Sequence, residues 1–301
     1  MFSREINYNQ ASSASMGWKP NWFGDFDEID ENLIEAIKKW QKDHFLTQDG
    51  LVGPTTFRRV FTERESNIDL YLPDRFTCKE TNHIVYNGNL YEIDWPHVTL
   101  WSEENGLEAK KGTYKPNIGK RDIDFFVNHW DVCLNSASCL RVVNNRGISV
   151  QFLIDNDGRI FQTMDMSHIA WHAGGRGWNA RSVGVEISNA YYPKYQSWYE
   201  KNGFGPRPLV EGARVHNRTL KPFLGFYPVQ MEALKALWKA INTSIGVPLT
   251  TPCHKNGKVI KGVVPDTREV YGFVNHYHLT RKKIDCAGLD IKGMLADIKG
   301  M

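Results

Sequence analysis

Apolar positions along the chain fall into two regimes. Between residues 29 and 65 they recur at helical spacing, so that Leu33, Ile34, Ile37, Trp40 and Phe45 share one face. Asp30 stands where an N-cap belongs. The run "QDGLVGPTTF" then supplies turn chemistry, Asp-Gly followed by Gly-Pro, and predicts a second short helix capped by Thr55 or Thr56. From residue 121 onward, short and nearly continuous apolar runs alternate with amphipathic ones. "IDFFVNHW" reads as a buried strand ending in His129, and "SCLRVVNNRG" as a helix. "ISVQFLIDNDGRIFQTMD" reads as a hairpin turning at Asn156-Asp157-Gly158. "SVGVEISN" is a further buried strand, "YPVQMEALKALWKAINTSIG" an amphipathic helix stopped by Gly246, and "YGFVNHYH" an apolar strand that ends in histidines. Buried strands interleaved with helices predict an α/β domain, a central mixed β-sheet flanked by helices, preceded by a small all-α domain.

The segment between the two regimes is less regular. "HIVYNGNLYEIDW" alternates about Asn87-Gly88, a strong hairpin signal. "GLEAKKGTYKPNIGKR" reads as an exposed loop. The expected division is therefore residues 1–70 helical, 71–115 a linker with a strand extension, and 116–301 the α/β domain. Upstream, "GWKPNWFG" is the stretch expected to supply the first helix of the helical domain. No internal repeat interrupts this plan.

Composition narrows the class. The 301 residues are 41% hydrophobic and 24% charged, which excludes a disordered chain. The net charge of +3 comes without a dense Lys/Arg run, so it suits an anionic polymer and argues against nucleic acid as partner. The 10 tryptophans suit a sugar or peptide cleft as well as core packing. The start, "MFSREINYNQASSASMGW", has no apolar h-region, and no run is long enough to span a membrane. No signal peptide and no membrane insertion are expected. Cys78, Cys133, Cys139, Cys253 and Cys286 are odd in number and scattered, which implies no disulfide framework and a reducing cytosol as the place of synthesis.

Candidate chemistry concentrates near the C-terminus, in "NHYHLTRKKIDCAGLD", residues 275–290. Two apolar strands, "FFVNHW" and "GFVNHY", each end in a histidine, and sites in α/β sheets gather where strands end. Imidazoles are the commonest zinc ligands, and a third ligand beside an open fourth position makes a catalytic site. The tail after His276 offers Asp285 and Cys286 for that role. Glu186, inside the apolar strand "VGVEIS", needs either an ion-pair partner such as Arg181 or a task.

Two resemblances sharpen this picture. "AIKKWQKDHFLTQDGLVGPTTF" resembles the second half of the small helical peptidoglycan-binding domain that stands beside many cell-wall hydrolases. "FFVNHW", "SVQFLIDNDGRIFQ", "IAWHAGGRGWNARSVGVEISN" and "GFVNHYHLTRKKIDCAGLD", in this order, resemble the type-2 N-acetylmuramoyl-L-alanine amidases. That family takes in phage endolysins, cytosolic muropeptide amidases and peptidoglycan recognition proteins. The resemblance implies Zn2+ held by His129, His276 and a third ligand that is Cys in some branches and Asp in others, here Cys286 or Asp285. It implies Glu186 as general base and a catalytic lysine two residues before the third ligand, which is Lys283 if Asp285 is that ligand. Cys286 is the expected ligand, because a thiolate binds zinc more tightly than a carboxylate. Adjacent side chains of an extended segment point to opposite sides, so only one of the two faces the metal. His278 stands where relatives often have an acid and is not expected to be a ligand.

His172 and Asn179 are expected to line the substrate cleft, with Trp171 beside them largely as packing. A tyrosine that many phage members carry is replaced by Val150, which leaves the proton work to Glu186. The activity implied is cleavage of the amide between the N-acetylmuramic acid lactyl group and L-alanine of bacterial peptidoglycan. The bearer would be an endolysin, a monomer made in the host cytoplasm that reaches the wall through a membrane pore made by another protein. A non-catalytic recognition module, or a virion component with the same fold, is the alternative.

Overall fold

The helical periodicity of residues 29–65 becomes two helices, and a third precedes them. These are α1 (Ser3–Met16), α2 (Glu31–Asp43) and α3 (Pro54–Ser66). The computed structural model describes residues 2–67, 81–265 and 270–300. The chain divides into two compact units, Met1–Tyr71 with Arg141–Gly147, and Leu72–Leu140 with Ile148–Met301. Residues 68–80, on which the start of the expected linker falls, lie outside the described residues.

In the first unit Asp30 caps α2, its Oδ1 accepting from Leu33 N at 2.8 Å. Leu33, Ile34 and Ile37 are buried. Phe45 is not part of that face: it follows the helix end, at φ 56° and 88% exposed. Neither Thr55 nor Thr56 caps α3. Gly53 is the N-cap and Pro54 takes the first helical position, where its missing N–H costs nothing. The first helix is also not where the sequence suggested. "GWKPNWFG" contributes only a short 3-10 turn, Pro20–Trp22, and the helix lies upstream of it. Its buried residues include Asn9 and Ser12, which bond to the loop at Gly50 and Val52, so α1 shows no simple apolar stripe.

The second unit opens with the hairpin β1 (His83–Tyr86) and β2 (Asn89–Glu92), joined by Asn87 and Gly88 at φ 51° and 72°. Two successive positive φ values are what a two-residue type I′ loop requires. Then follow β3 (Val98–Leu100), β4 (Tyr114–Lys115), β5 (Phe125–Trp130), α4 (Ser136–Asn145), β6 (Phe152–Ile154) and β7 (Ile160–Gln162). Next come β8 (Ile169–Ala170), α5 (Arg176–Ala180), β9 (Ser182–Ile187) and α6 (Gln196–Lys201). Four two-residue strands, β10 (Leu209–Val210), β11 (Arg214–Val215), β12 (Arg218–Thr219) and β13 (Phe223–Leu224), precede α7 (Pro228–Ile245). The chain closes with β14 (Gly272–Asn275) and α8 (Ile291–Gly300). The stretch read as an exposed loop is partly built in: Lys115 and Tyr114 pair with β8, and Ala109 and Thr113 are buried.

Six strands form the central sheet in the order β14-β5-β9-β6-β7-β3. Every neighbouring pair is parallel except β6 and β7, the hairpin expected at Asn156–Gly158, so the sheet is mixed. On one face Phe126, Val183, Val185, Ile187 and Phe273 pack against Leu234, Leu237, Trp238 and Ile241 of α7 and against Ile291, Leu295 and Ile298 of α8. Each such fully buried side chain contributes about 1.5–3 kcal/mol. The opposite face carries a smaller apolar cluster, Phe125, Val127, Val274, Ala173 and Leu279 among its members. Val150 is buried. No helix among the described residues is long and apolar enough to cross a membrane.

Candidate metal centre

Side chains alternate along a strand, so register decides which residues share a face. Phe125 stands opposite Ser182, Val127 opposite Gly184, and His129 opposite Glu186, while Val274 stands opposite Val127. Ser182, Gly184 and Glu186 therefore project from β9 on the face that bears His129. His276 follows β14 directly, in the 3-10 turn His276–His278. The Asp285 segment is tied back to that turn: Tyr277 N donates to Asp285 O at 3.1 Å, and Asn275 Nδ2 to Cys286 O at 3.1 Å.

These elements bring His129, His276 and Asp285 together. Asp285 Oδ2 lies 3.2 Å from His129 Nδ1 and 3.1 Å from His276 Nδ1. One ligand atom from each residue lies within 4.8 Å of the other two, and all three residues are buried. His276 Nε2 is also buried, with no hydrogen-bond partner among the described residues. Burial, then the neighbouring His276, pushes the His129 imidazole down to about 4. Burial works against ionisation of Asp285, but His276, the close contacts with both imidazoles and the Lys283 charge outweigh it and hold the carboxyl well below its usual range. A neutral imidazole and an ionised carboxylate are the protonation states a metal ion needs. Two imidazoles and a carboxylate, buried together on one point, fit a divalent metal as a donor set.

Cys286 is not brought to this point. Its side chain is fully buried among Trp130, Val132, Phe223 and Tyr277, and burial, then the Asp285 charge, pushes its thiol well above the usual range. The preference for the thiolate yields to direction: of two adjacent side chains, Asp285 turns to the histidines and Cys286 away. Lys283 is close enough for its charge to lower both His129 and Asp285. Glu186, half-buried, is the register partner of His129. His278 is occupied by the main chain, its Nδ1 accepting from Asn275 N at 3.0 Å and its Nε2 bonded to Ile260 O at 2.7 Å.

The three residues expected in the cleft part company. Trp171 is 39% exposed and so is not packing. Asn179 is buried, and its Oδ1 accepts from His172 N at 3.2 Å and Ala173 N at 2.8 Å, which shapes the "WHAG" turn. His172 turns inward: its Nδ1 lies 3.1 Å from His129 Nε2 and its Nε2 3.3 Å from Ser182 Oγ. Ser182 and Gly184 were missed by sequence reasoning. The signal was present, because "SVGVEI" alternates small or polar residues at 182, 184 and 186 with Val183, Val185 and Ile187.

Two further features lie near the centre. Asp131, Cys133 and Cys139 form a second buried group, in which burial raises the Asp131 carboxyl to about 7 and the Cys139 thiol well above its usual value. Asp131 Oδ1 accepts from Cys133 N and Asn189 N, both at 2.9 Å, and so ties the end of β5 to the end of β9. A cavity of about 560 Å³ is lined by His216, Arg218, His254, Lys258, Lys261 and Arg281 together with uncharged residues, with no Asp or Glu among the described residues that line it. A ring nitrogen of His216 lies 2.8 Å from Lys283 O, so the cavity shares a wall with the segment that carries Asp285.

The fold and this centre define a mixed α/β protein with a buried His-His-Asp constellation at the strand ends of its sheet. The model of the N-acetylmuramoyl-L-alanine amidase family, Amidase_2, matches residues 119–283, and the chain belongs to that family. Comparison with curated proteins finds no match. Among solved structures the chain is similar to the N-acetylmuramyl-L-alanine amidase AmiD from E. coli, solved with anhydro-N-acetylmuramic acid-L-Ala-D-gamma-Glu-L-Lys. The identity is 19%, over 65% of this chain and 66% of that one, with a TM-score of 0.37. It is similar also to the endolysin LysCS from Clostridium intestinale URNW, at 15% identity over 68% of this chain and 96% of that one, TM-score 0.40. A third is the Ph2119 endolysin from a Thermus scotoductus bacteriophage, at 18% identity over 64% and 93%, TM-score 0.34. The match thus spans just under two thirds of the AmiD chain.

Proposed function

We propose that this chain is a zinc-dependent amidase that hydrolyses the bond between the N-acetylmuramic acid lactyl group and L-alanine in bacterial peptidoglycan. The observation that carries the reading is the spacing of the buried donors. Zinc bonds of about 2.0–2.1 Å give tetrahedron edges of about 3.3 Å, and Asp285 Oδ2 stands 3.2 and 3.1 Å from the two Nδ1 atoms. Asp285 is accordingly the third ligand in this reading, beside His129 and His276, and Cys286 is not. That choice restores Lys283 to the position two residues before the ligand.

Zinc held there would polarise the amide carbonyl and lower the pKa of a bound water to about 7. The chain's own groups do the rest. The Glu186 carboxylate, beside His129 in register, takes a proton from the attacking water and passes it to the leaving amine. Lys283 places positive charge where the carbonyl oxygen becomes negative. In the cavity next to Lys283, the basic side chains of Arg218, Lys258, Lys261 and Arg281 suit carboxylates of a peptide that extends from the scissile amide. The helical unit is read as the wall-binding part, on the strength of "AIKKWQKDHFLTQDGLVGPTTF". The biological role is that of an endolysin, made in a host cytoplasm and acting on the wall as a monomer after passing a pore made by another protein.

Mass spectrometry of muropeptides released from purified sacculi tests the activity. The expected products are peptides with a free L-alanine amino terminus and glycan with free lactyl carboxylates. Cuts within the peptide, cuts in the glycan, or no cut at all would overturn the proposal.

A further inference from the structure

His172 sits between the metal centre and the interior of the strand face. Its ring rests on Gly184, where a Cβ would lie 2.6 Å from both Cε1 and Nδ1 of the imidazole. Asn179 holds the turn that delivers it. Each ring nitrogen has one partner, His129 Nε2 at 3.1 Å and Ser182 Oγ at 3.3 Å. Ser182 Oγ in turn bonds to Trp178 O at 2.8 Å.

The direction of this chain of hydrogen bonds follows from its end. The Trp178 carbonyl only accepts, so the Ser182 hydroxyl hydrogen is committed to it. The Ser182 oxygen then offers a lone pair to His172, whose Nε2 must donate. A neutral imidazole has a single N–H, so Nδ1 of His172 accepts, and the hydrogen between the two rings belongs to His129 Nε2. His129 Nδ1 is left without a hydrogen, facing Asp285 Oδ2. Reversing the chain would put a hydrogen on His129 Nδ1, pointed at the carboxylate, and would remove the lone pair a metal needs.

We propose that His172 is a positioning residue which, anchored by Ser182 and seated on Gly184, holds His129 as the Nε2–H tautomer and so presents Nδ1 to the metal. This rests on the metal reading above and extends it to residues that touch neither metal nor substrate. Outer hydrogen-bond partners of metal-binding histidines typically contribute about 10- to 100-fold in metal affinity. Gly184 is glycine, in this account, because any side chain there displaces the ring that sets the tautomer.

The test uses the full chain, labelled with 15N at histidine, and zinc itself as probe. Long-range proton–nitrogen spectra of the metal-free protein are expected to show His129 protonated at Nε2. Chelator competition is expected to give a zinc Kd raised about 10- to 100-fold by His172→Ala and by Gly184→Ala. His172→Gln, whose amide oxygen still accepts from His129, should recover most of that loss, which a merely structural role would not predict. Should His172→Ala fail to fold, Ser182→Ala removes only the anchoring hydroxyl and carries the same comparison. His129 protonated at Nδ1, or an unchanged Kd in the folded variants, overturns the proposal. Wild-type protein that takes up no zinc overturns the metal reading instead, and the tautomer spectrum still decides this one.

Discussion

The loop between α2 and α3 and the strand ends of the central sheet are both dense in polar residues, and they use them in opposite ways. In the helical unit the Gln41 amide is spent on its own surroundings. Its Nε2 donates to Asp49 Oδ1 at 2.9 Å, Leu51 O at 3.1 Å and Thr56 Oγ1 at 3.2 Å, and its Oε1 accepts from Gly50 N at 2.9 Å. Asn9 adds bonds of 2.8 Å to Gly50 O and from Val52 N. Gly50 is at φ 70°, and a Cβ there would meet Ile34 at 2.9 Å. The motif residues build one turn and their hydrogen-bonding capacity stays inside it. At the sheet, His129 comes from a segment far in sequence from the one that carries His276 and Asp285, and the three turn on one another. Buried polar groups are ordinarily satisfied by partners of their own; the first arrangement does this and specifies a fold, while the second gathers two imidazoles and a carboxylate, a donor set that fits a metal ion.

The largest effect that separates the two concerns the third ligand. Asp285→Asn is expected to lose the zinc equivalent and to lower hydrolysis by at least ~10³-fold, since both water activation and carbonyl polarisation go with the metal. Cys286→Ser should keep the zinc. Its cost is one of stability, about 1–3 kcal/mol for a hydroxyl placed in an apolar pocket. Metal analysis and turnover of the two purified variants check this. A Ser variant without zinc, beside an Asn variant with a full equivalent, would reverse the assignment.

Glu186→Gln comes next. Turnover is expected to fall about 10²- to 10⁴-fold with zinc content unchanged, because the role proposed for the side chain is to move a proton and not to hold metal. Near-normal turnover in this variant would move the base role to another group.

Acid should weaken the sheet unit through its buried histidines. Burial pushes His129 and His278 down to about 4. Between about 6.5 and 4 the unfolded chain binds the protons these two groups refuse, so stability rises with pH across that window and is lost as pH falls through it. The slope is up to ~1.4 kcal/mol per pH unit for each group. Asp285 is shifted in the same direction, downward, so its contribution is likewise present above the ordinary carboxylate pKa and is lost as pH falls below it. Denaturant titrations of metal-free protein at pH 7 and pH 5 measure the difference. Asp131, raised to about 7 by burial, has the opposite sign over the same window. Histidine NMR therefore reads the two imidazoles separately, and folded-state midpoints near 6.5 would mean that they are not held neutral.

What the sequence made legible was local. Asp30 as N-cap, Asn87-Gly88 and Asn156–Gly158 as turns, Gly246 as the stop of α7, and the two strands that lead into His129 and His276 are all set by neighbours a few residues away. The parts that were not legible depend on direction or on distant contacts. Asp285 and Cys286 are both good ligands on paper, and only the path of the chain after His276 decides which one turns inward. His172 reads as a cleft residue until the β5–β9 register places Ser182 and Gly184 on the sheet face that bears His129. α1 was misplaced because Asn9 and Ser12 are buried for hydrogen bonding with the 50–52 loop, which leaves no apolar stripe to find.

The smallest effect tests how far local capping chemistry can be read without a structure. Asp30 and Thr55 look alike in the sequence, each a good capping type just ahead of a helical run. In the structure Asp30 Oδ1 accepts from Leu33 N at 2.8 Å. Thr55 is an exposed residue inside the first turn of α3, after Gly53 and Pro54 have begun the helix. A cap contributes by satisfying an amide that the helix leaves bare, typically ~1 kcal/mol, whereas an exposed residue past the cap position satisfies none. Asp30→Ala should therefore destabilise the helical unit by about 1 kcal/mol, and Thr55→Ala should stay within about 0.5 kcal/mol of wild type. Equal losses in chemical denaturation would mean that Thr55 carries an interaction beyond its place in the helix. A larger loss at Thr55 than at Asp30 would put the start of α3, rather than that of α2, under side-chain control.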